Sequence, residues 1–267
     1  WVIYYELDLI IIGSFFDSYS IGIYAVGFSF LGFLKNLWSI VFSPYSQRFN
    51  HFSDEKSIES LKLLANNLIT YTFPLMIIVS TILIIFAEKL IILWVGNTYQ
   101  ESVNVIIVLI ISTIFGFITQ PASFYYTSKN KYNYIYFNSA VLPIVFILGL
   151  YMLIPIHDIL GVAISKVLAT FGSFLISLYA LRNIINIYLI FKKWILNLLI
   201  FIIISFFFLP ELVEVIFYID DKSSINLIFL CFLILILICF SFIFVILTDK
   251  KSRNYLIKTY NKNISNN

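Results

Sequence analysis

Residues 4–49 have the sequence YYELDLIIIGSFFDSYSIGIYAVGFSFLGFLKNLWSIVFSPYSQRF, in which charged side chains interrupt two long apolar runs. The stretch predicts two apolar helices joined by a short polar turn at residues 17–20. Each predicted helix carries ionisable side chains inside its apolar run, Glu6 and Asp8 in the first and Lys35 in the second. Because a charge in hydrocarbon costs at least about 3 kcal/mol, we expect these side chains to face a bundle interior or a watery cavity.

The second predicted helix carries one face of small and polar residues. They recur in alternating steps of three and four, which keeps their side chains on one side of a helix: Gly22, Ala25, Ser29, Gly32, Asn36, Ser39 and Ser43. Lys35 lies beside this face, within about 60° of Gly32 and Ser39 at roughly 100° per residue. Such a face is typical of a tight contact between helices. It is equally typical of the wall of a polar passage, and the pattern leaves both open.

Composition indicates a membrane protein. Apolar residues make up 61% of the chain, the mean hydropathy is +0.98, and apolar runs long enough to cross a layer of about 30 Å recur along it. The chain begins at Trp1, directly within an apolar run, so we expect an N-terminal part to precede it. Cys231 and Cys239 both lie in the last apolar run, which favours packing over a disulfide.

The apolar runs predict an all-α, polytopic bundle of eight membrane spans. We place the spans at residues 2–16, 21–45, 68–87, 103–120, 137–154, 161–181, 194–209 and 225–247. Pro44 and Pro121 are expected to end the second and fourth spans, and residues 58–65 to form a short amphipathic helix on the membrane surface. We divide the chain into a six-helix lobe (1–181), two additional peripheral helices (182–247) and a polar cytoplasmic tail (248–267).

The distribution of lysine and arginine predicts the orientation in the membrane. The loops after the first, third, fifth and seventh predicted spans hold only Lys89 and Lys222. The connections after the second, fourth and sixth spans, together with the tail, hold Arg48, Lys56, Lys62, Lys129, Lys131, Arg182, Lys192, Lys193, Lys250, Lys251, Arg253, Lys258 and Lys262. Because basic loops stay on the cytoplasmic side, we expect the chain to start and end in the cytoplasm.

Two further spans carry polar faces at helical spacing. In the fourth span the face consists of Ser112, Gly116, Thr119 and Ser123, and in the sixth of Lys166, Thr170, Ser173 and Ser177. The seventh and eighth spans have no such face, so we expect them at the periphery of the bundle, against lipid.

The sequence disfavours an enzyme. The predicted outward loops are short, and His157 and Asp158 are the only neighbouring histidine and acid, a pattern more typical of a surface turn than of a catalytic dyad. The sequence has no metal-ligand spacing, no glycine-rich phosphate loop and no Cys–His arrangement. We therefore expect no cofactor, no metal and no nucleic-acid partner.

The depths of the charged side chains favour a polar passage. At about 1.5 Å per residue, Asp8 lies near the middle of the bilayer, and Glu6 and Lys35 lie at similar depths closer to the cytoplasm. One of the acids could pair with Lys35 while the other faces a neighbouring segment, because residues two apart point to different sides of a helix. The alternative is a buried ion pair that only fixes helix packing.

The run LDLIIIGSFFDSYSIGIYAVGFSFLGFL resembles the start of the C-terminal half of bacterial polysaccharide flippases, which belong to the multidrug/oligosaccharidyl-lipid/polysaccharide exporter superfamily. The matching features are Asp8 before the IIG at residues 11–13, and the GIY at residues 22–24 after the turn. SPYSQRF after the second span and LIILWVGNTYQESVNVIIVLI before and into the fourth are also similar. The resemblance covers about residues 4–181.

The resemblance implies the C-terminal lobe of a fourteen-helix transporter, whose missing N-terminal lobe would complete a central cavity. Its substrate would be a polyprenyl-diphosphate-linked oligosaccharide, moved across the bacterial cytoplasmic membrane for surface polysaccharide such as lipopolysaccharide. Cationic side chains of the family's cavity meet the diphosphate and sugars, and Lys35 matches such a position. Lys166 is a second candidate, although at about 9 Å below the outer surface it could snorkel to water.

The candidate substrate-binding residues are therefore Glu6, Asp8, Ser29, Lys35, Asn36, Ser39 and Lys166. Two other functions remain open at this point. The chain could belong to a cation-coupled exporter of small molecules with the same fold, or it could be a membrane scaffold in which every charge serves packing alone.

Overall fold

The computed structural model of the protein describes residues 10–54 and 58–188, and then residues 190–192, 194, 195, 198, 199, 201–203 and 205. These residues form helices and turns, and no strand occurs among them. The elements are α1 (helical over residues 10–15), α2 (Ser18–Asp54), α3 (Ile58–Trp94), a short 3-10 helix (Asn97–Tyr99), α4 (Ser102–Ile114), α5 (Gly116–Ser128) and α6 (Tyr132–Leu181).

Four helical stretches in the described part are long and apolar enough to cross a membrane: Ser18–His51, Ile58–Trp94, Ser102–Ser128 and Tyr132–Leu181. The predicted all-α membrane bundle is thus confirmed at that level. The count of eight spans stays a prediction, because the first span is described only from residue 10 and the seventh only in part. The eighth span (225–247), the tail (248–267), Glu6 and Asp8 lie outside the described residues.

Helix α6 is a hairpin of two antiparallel arms. Its 50 residues would span about 75 Å if straight, but Asp158 has φ 48° and ψ −129°, which reverses the chain. The hydroxyls of Tyr134 and Ser177 are 2.7 Å apart, and Tyr126 of α5 donates a hydrogen bond to the Ala180 carbonyl. The two arms, before and after Asp158, correspond to the predicted fifth and sixth spans.

The arms of α6 approach closely because glycines lie in their contact. A Cβ added at Gly149 would be 2.9 Å from the Cβ of Ser165, and one at Gly161 would be 2.5 Å from the Leu153 carbonyl oxygen. Neither glycine could therefore carry a side chain without displacing the neighbouring arm. This contact, which we call the α6 seam, is a tight helix contact built on small residues.

Several predicted helix ends are wrong. Pro44 lies inside α2 and Pro121 inside α5, and both helices continue past their proline. Proline is tolerated within membrane helices because neighbouring groups can satisfy the carbonyl that loses its partner. The predicted surface helix at residues 58–65 is the first part of α3, with Leu61 and Ala65 buried in the bundle core.

Helix α3 forms the centre of the larger apolar core. Along its length it buries residues from Leu61 to Ile91. The ring of Phe73 packs 4.7 Å from that of Phe117 in α5 and 4.8 Å from that of Phe191, measured between centroids. Aromatic rings from three segments meet at one point, and their van der Waals packing with tilted and edge-to-face geometry stabilises the bundle.

The described residues after α6 place one face against this core. Ile190, Trp194 and Leu198, each four residues apart, are buried, whereas Tyr188, Ile195 and Leu199 are half exposed or more. The spacing of four keeps the buried side chains on one side of a helix. This part of the predicted seventh span therefore packs on the bundle along one face and exposes the other.

Two connections have well-defined caps. Asp17 precedes α2, and its Oδ1 accepts a hydrogen bond from the Ser20 N–H at 3.0 Å, which is the usual N-cap arrangement. Bonds from the side chain and backbone of Ser20 hold the pKa of Asp17 below its ordinary value. After α5, Asn130 has φ 54°, and the N–H groups of Asn130 and Lys131 bond to the carbonyls of Thr127 and Tyr126. This pattern is a Schellman motif with asparagine at the left-handed position.

Candidate functional site

A cavity of about 490 Å³ lies between α2, α4, α5 and the two arms of α6. Only Met76 of α3 reaches it. Its lining is rich in polar side chains although the helices around it are apolar. These side chains are Lys35, Ser39, Ser43, Ser46, Ser112, Thr113, Thr119, Gln120, Ser123, Asn138, Lys166, Thr170 and Ser173.

The polar faces of three predicted spans meet at this cavity. All four residues of the fourth-span face, Ser112, Gly116, Thr119 and Ser123, line it. From the sixth-span face Lys166, Thr170 and Ser173 line it, while Ser177 bonds to Tyr134 beyond it. From the α2 face Ser39 and Ser43 line it. The helical spacing thus brings separate segments of the chain to one polar surface.

Lys166 is the more enclosed of the two lysines at the cavity. Its side chain is 2% exposed, and its Nζ lies 4.6 Å from the ring centroid of Phe28 and 6.0 Å from that of Phe146. An ammonium at these distances from an aromatic ring is attracted by the electron-rich face. The idea that Lys166 snorkels to water is therefore wrong, since burial leaves its side chain almost no exposed surface.

Lys35 lines the cavity from another helix, α2, and at a different level. It is only partly buried. Lys166 contacts Phe28, and Lys35 follows Phe28 by seven residues, which places it about 10 Å further from the Asp158 turn along α2. Asn138 precedes Phe146 by eight residues and so lies about 12 Å further from the turn on the first arm of α6. The two lysines therefore lie at different levels of the cavity, and the lining of α2 continues beyond Lys35 to Ser46.

Four of the lining hydroxyls, those of Ser112, Thr113, Thr119 and Thr170, donate hydrogen bonds within their own helices. Ser112 donates to the Leu109 carbonyl and Thr113 to the Ile110 carbonyl, at 2.6 and 2.7 Å. Thr119 donates to Phe115 and Thr170 to Val167, at 3.4 and 2.9 Å. Since each hydroxyl has one hydrogen, these groups present acceptor lone pairs to the cavity and no free donor.

The structure separates the candidate residues into three groups. Lys35, Ser39 and Lys166 line the cavity. Ser29 and Asn36 are exposed and lie outside its lining, and the Ser29 hydroxyl donates to the Ala25 carbonyl at 2.8 Å. Glu6 and Asp8 precede the first described residue. The α2 face does not act as one wall, because only Ser39 and Ser43 of its seven residues line the cavity.

The lining residues that the sequence did not predict include Trp38, Gln120 and Asn138. Asn138 is an isolated amide in an apolar run, and Trp38 is apolar by composition, so neither belongs to a periodic polar face. An amide at the start of an apolar span, which must find partners there, was the one signal that could have identified Asn138.

The described residues offer no group of three or more histidine, cysteine, aspartate or glutamate side chains that could hold a metal ion. Among the described side chains at the cavity none is acidic. In comparisons with known proteins, no family model matches this sequence, and no curated protein is significantly similar to it.

Proposed function

We propose that this chain is part of a transporter that moves a polyprenyl-diphosphate-linked oligosaccharide across the bacterial cytoplasmic membrane. The observation that carries the proposal is a cavity in an apolar bundle that is lined by Lys35 and Lys166 on different helices, together with several hydroxyls and amides. Membrane helices keep such groups only where they meet one another, water or a polar substrate. A substrate with both anionic and hydroxyl groups matches this lining.

Electrostatics supports an anionic head group. A phosphate brought into a membrane loses its hydration, and positive charge in a medium of low dielectric constant offsets that loss far better than in water. Both charged side chains at the described lining are cations. A cation-coupled exporter would instead need carboxylates at its ion site, which the described part of the lining does not contain.

The size of the cavity indicates what part of the substrate it would hold. Its 490 Å³ falls within the roughly 300–1,000 Å³ of small-molecule sites. We expect it to take the diphosphate and the sugars next to it, with the lipid chain outside the bundle. In our proposal a second lobe completes the passage, rocking of the two lobes exposes the site to each side in turn, and the C-terminus lies in the cytoplasm.

Lys35 provides the first test. In a flippase-deficient strain complemented with the full-length protein, Lys35→Ala should reduce surface polysaccharide at least about tenfold, because a charged hydrogen bond to phosphate contributes 1.4 kcal/mol or more. Lys35→Arg should retain part of the export, because it keeps the charge and changes its shape. Lys131→Ala, which removes an exposed lysine outside the cavity, is the matched control and should export normally.

Double variants separate substrate binding from packing. If Lys35 only neutralises an acid of the first span, Lys35→Ala combined with Glu6→Gln or Asp8→Asn should restore export at matched protein levels. Recovery in either double variant would make Lys35 a structural counter-ion and remove the main support for the proposal.

A further inference from the structure

Two buried polar atoms at the cavity have no hydrogen-bond partner among the residues that the structure describes, Trp38 Nε1 and Asn138 Oδ1. Trp38 is 6% exposed and Asn138 is 8% exposed, and both residues line the cavity. A buried donor or acceptor without a partner is destabilising, so each of these atoms favours a ligand group of the opposite kind. Trp38 Nε1 can only donate, and Asn138 Oδ1 can only accept.

The chemistry of a phosphate does not satisfy both atoms. Ionised phosphate oxygens accept hydrogen bonds and donate none, so they could bond to the Trp38 N–H but would oppose Asn138 Oδ1. They would also oppose the lone pairs of Ser112, Thr113, Thr119 and Thr170, whose hydrogens are engaged with backbone carbonyls. A sugar hydroxyl donates and accepts at once, and therefore satisfies every group in this set.

Position along the bundle separates this set from Lys166. Asn138 lies about 12 Å further from the Asp158 turn than Phe146, whose ring faces Lys166 Nζ. Trp38 lies about 15 Å further from the turn than Phe28, the other ring at Lys166. A ligand that places its charge at Lys166 would therefore reach Asn138 and Trp38 only with groups that lie about 12–15 Å beyond the charge along the bundle.

We infer that Trp38 and Asn138 form a subsite that recognises neutral sugar hydroxyls and discriminates among head groups, whereas the lysines bind the diphosphate. The inference rests on the proposed function, since it assigns part of the same cavity to part of the same substrate. It goes further because it names the side chains that recognise the sugar. It also requires that these side chains contribute nothing to the binding of an unglycosylated diphosphate.

The test compares two probes with the purified full-length protein: undecaprenyl diphosphate, and undecaprenyl diphosphate carrying one N-acetylglucosamine. The variants are Trp38→Phe, which keeps an aromatic ring without the N–H, and Asn138→Leu, which keeps the size without the amide. Each should weaken binding of the sugar-bearing lipid roughly three- to tenfold, the contribution of one neutral hydrogen bond, and change binding of the sugar-free lipid less than about twofold.

Ser80→Ala is the matched control. Ser80 is 2% exposed, its hydroxyl oxygen also lacks a hydrogen-bond partner among described residues, and it lies on α3 away from the cavity. Its substitution should leave binding of both probes unchanged. If Asn138→Leu does not fold, as judged by its thermal unfolding, Asn138→Ser is used, which keeps a shorter polar side chain and should show the same selective loss.

The outcomes are distinct. Equal weakening of both probes, or no weakening of either, would overturn the sugar subsite while leaving the transporter proposal in place. If the unsubstituted protein binds neither probe, the proposed function itself fails. The subsite would be established if Trp38→Phe and Asn138→Leu weaken binding of the sugar-bearing probe alone and Ser80→Ala weakens binding of neither probe.

Discussion

Small residues line two faces of this bundle, on α2 and in the α6 seam, and the two faces do different things. In the seam, a Cβ at Gly161 would lie 2.5 Å from a backbone oxygen, so the glycine allows two arms to touch. On α2, a Cβ at Gly32 would meet nothing within 4 Å, and Ser39 and Ser43 border the cavity. The same sequence signal therefore marks close packing in one place and open space in the other.

The largest effect should come from filling the seam. We expect Gly161→Ala to lower the free energy of unfolding by about 3 kcal/mol or more, because the added methyl group meets backbone atoms that cannot move aside. Gly32→Ala should be neutral or stabilising by up to about 1 kcal/mol, since alanine favours the helix. Thermal unfolding of the two purified variants in detergent measures both. Equal losses would mean that α2 is also tightly packed.

Charge reversal should have an effect of comparable size at Lys166 and a much smaller one at Lys35. Lys166→Glu places a carboxylate in a site that is 2% exposed and faces two phenyl rings, which should cost roughly 3–5 kcal/mol of unfolding free energy. Lys35→Glu, on the partly buried wall, should cost about 1 kcal/mol or less. Thermal unfolding midpoints of the two variants and of the unsubstituted protein, measured at neutral pH, test this prediction. A loss at Lys35 as large as that at Lys166 would indicate that acids hold Lys35 in place.

The smallest effect should appear at the start of α2, where Asp17 caps the helix. Its pKa is lowered in the folded protein by Ser20, so its stabilising contribution is fully present above the ordinary value of 3.8 and is lost as the pH falls through the lowered folded pKa. Asp17→Asn keeps the cap without the titration. The difference in unfolding midpoint between the two proteins should shrink only in strongly acidic solution. A change near neutral pH would contradict this assignment.

The sequence predicts local periodicity well and tertiary placement poorly. The polar faces at Ser112–Ser123 and Lys166–Ser173 could be identified because helical spacing is a property of one segment, and both line the cavity. The α2 face extends over 22 residues, and only the tertiary packing of the other helices decides which part borders the cavity. Pro44 was misleading because its effect on a helix depends on neighbouring groups. Trp38 and Asn138 stand alone in apolar runs and carry no periodic signal.

The reversal at Asp158 has a consequence for the register of the bundle. It joins the arms of α6 by a single non-helical residue, so the length of the turn sets which residues of the second arm face the first. One added residue would rotate the second arm by about 100° relative to the first. Lys166, Thr170 and Ser173 would then leave the cavity together, and Gly149 would lose Ser165 as its neighbour. The number of residues in the turn at Asp158 therefore decides which side chains line the cavity, although Asp158 itself does not line it.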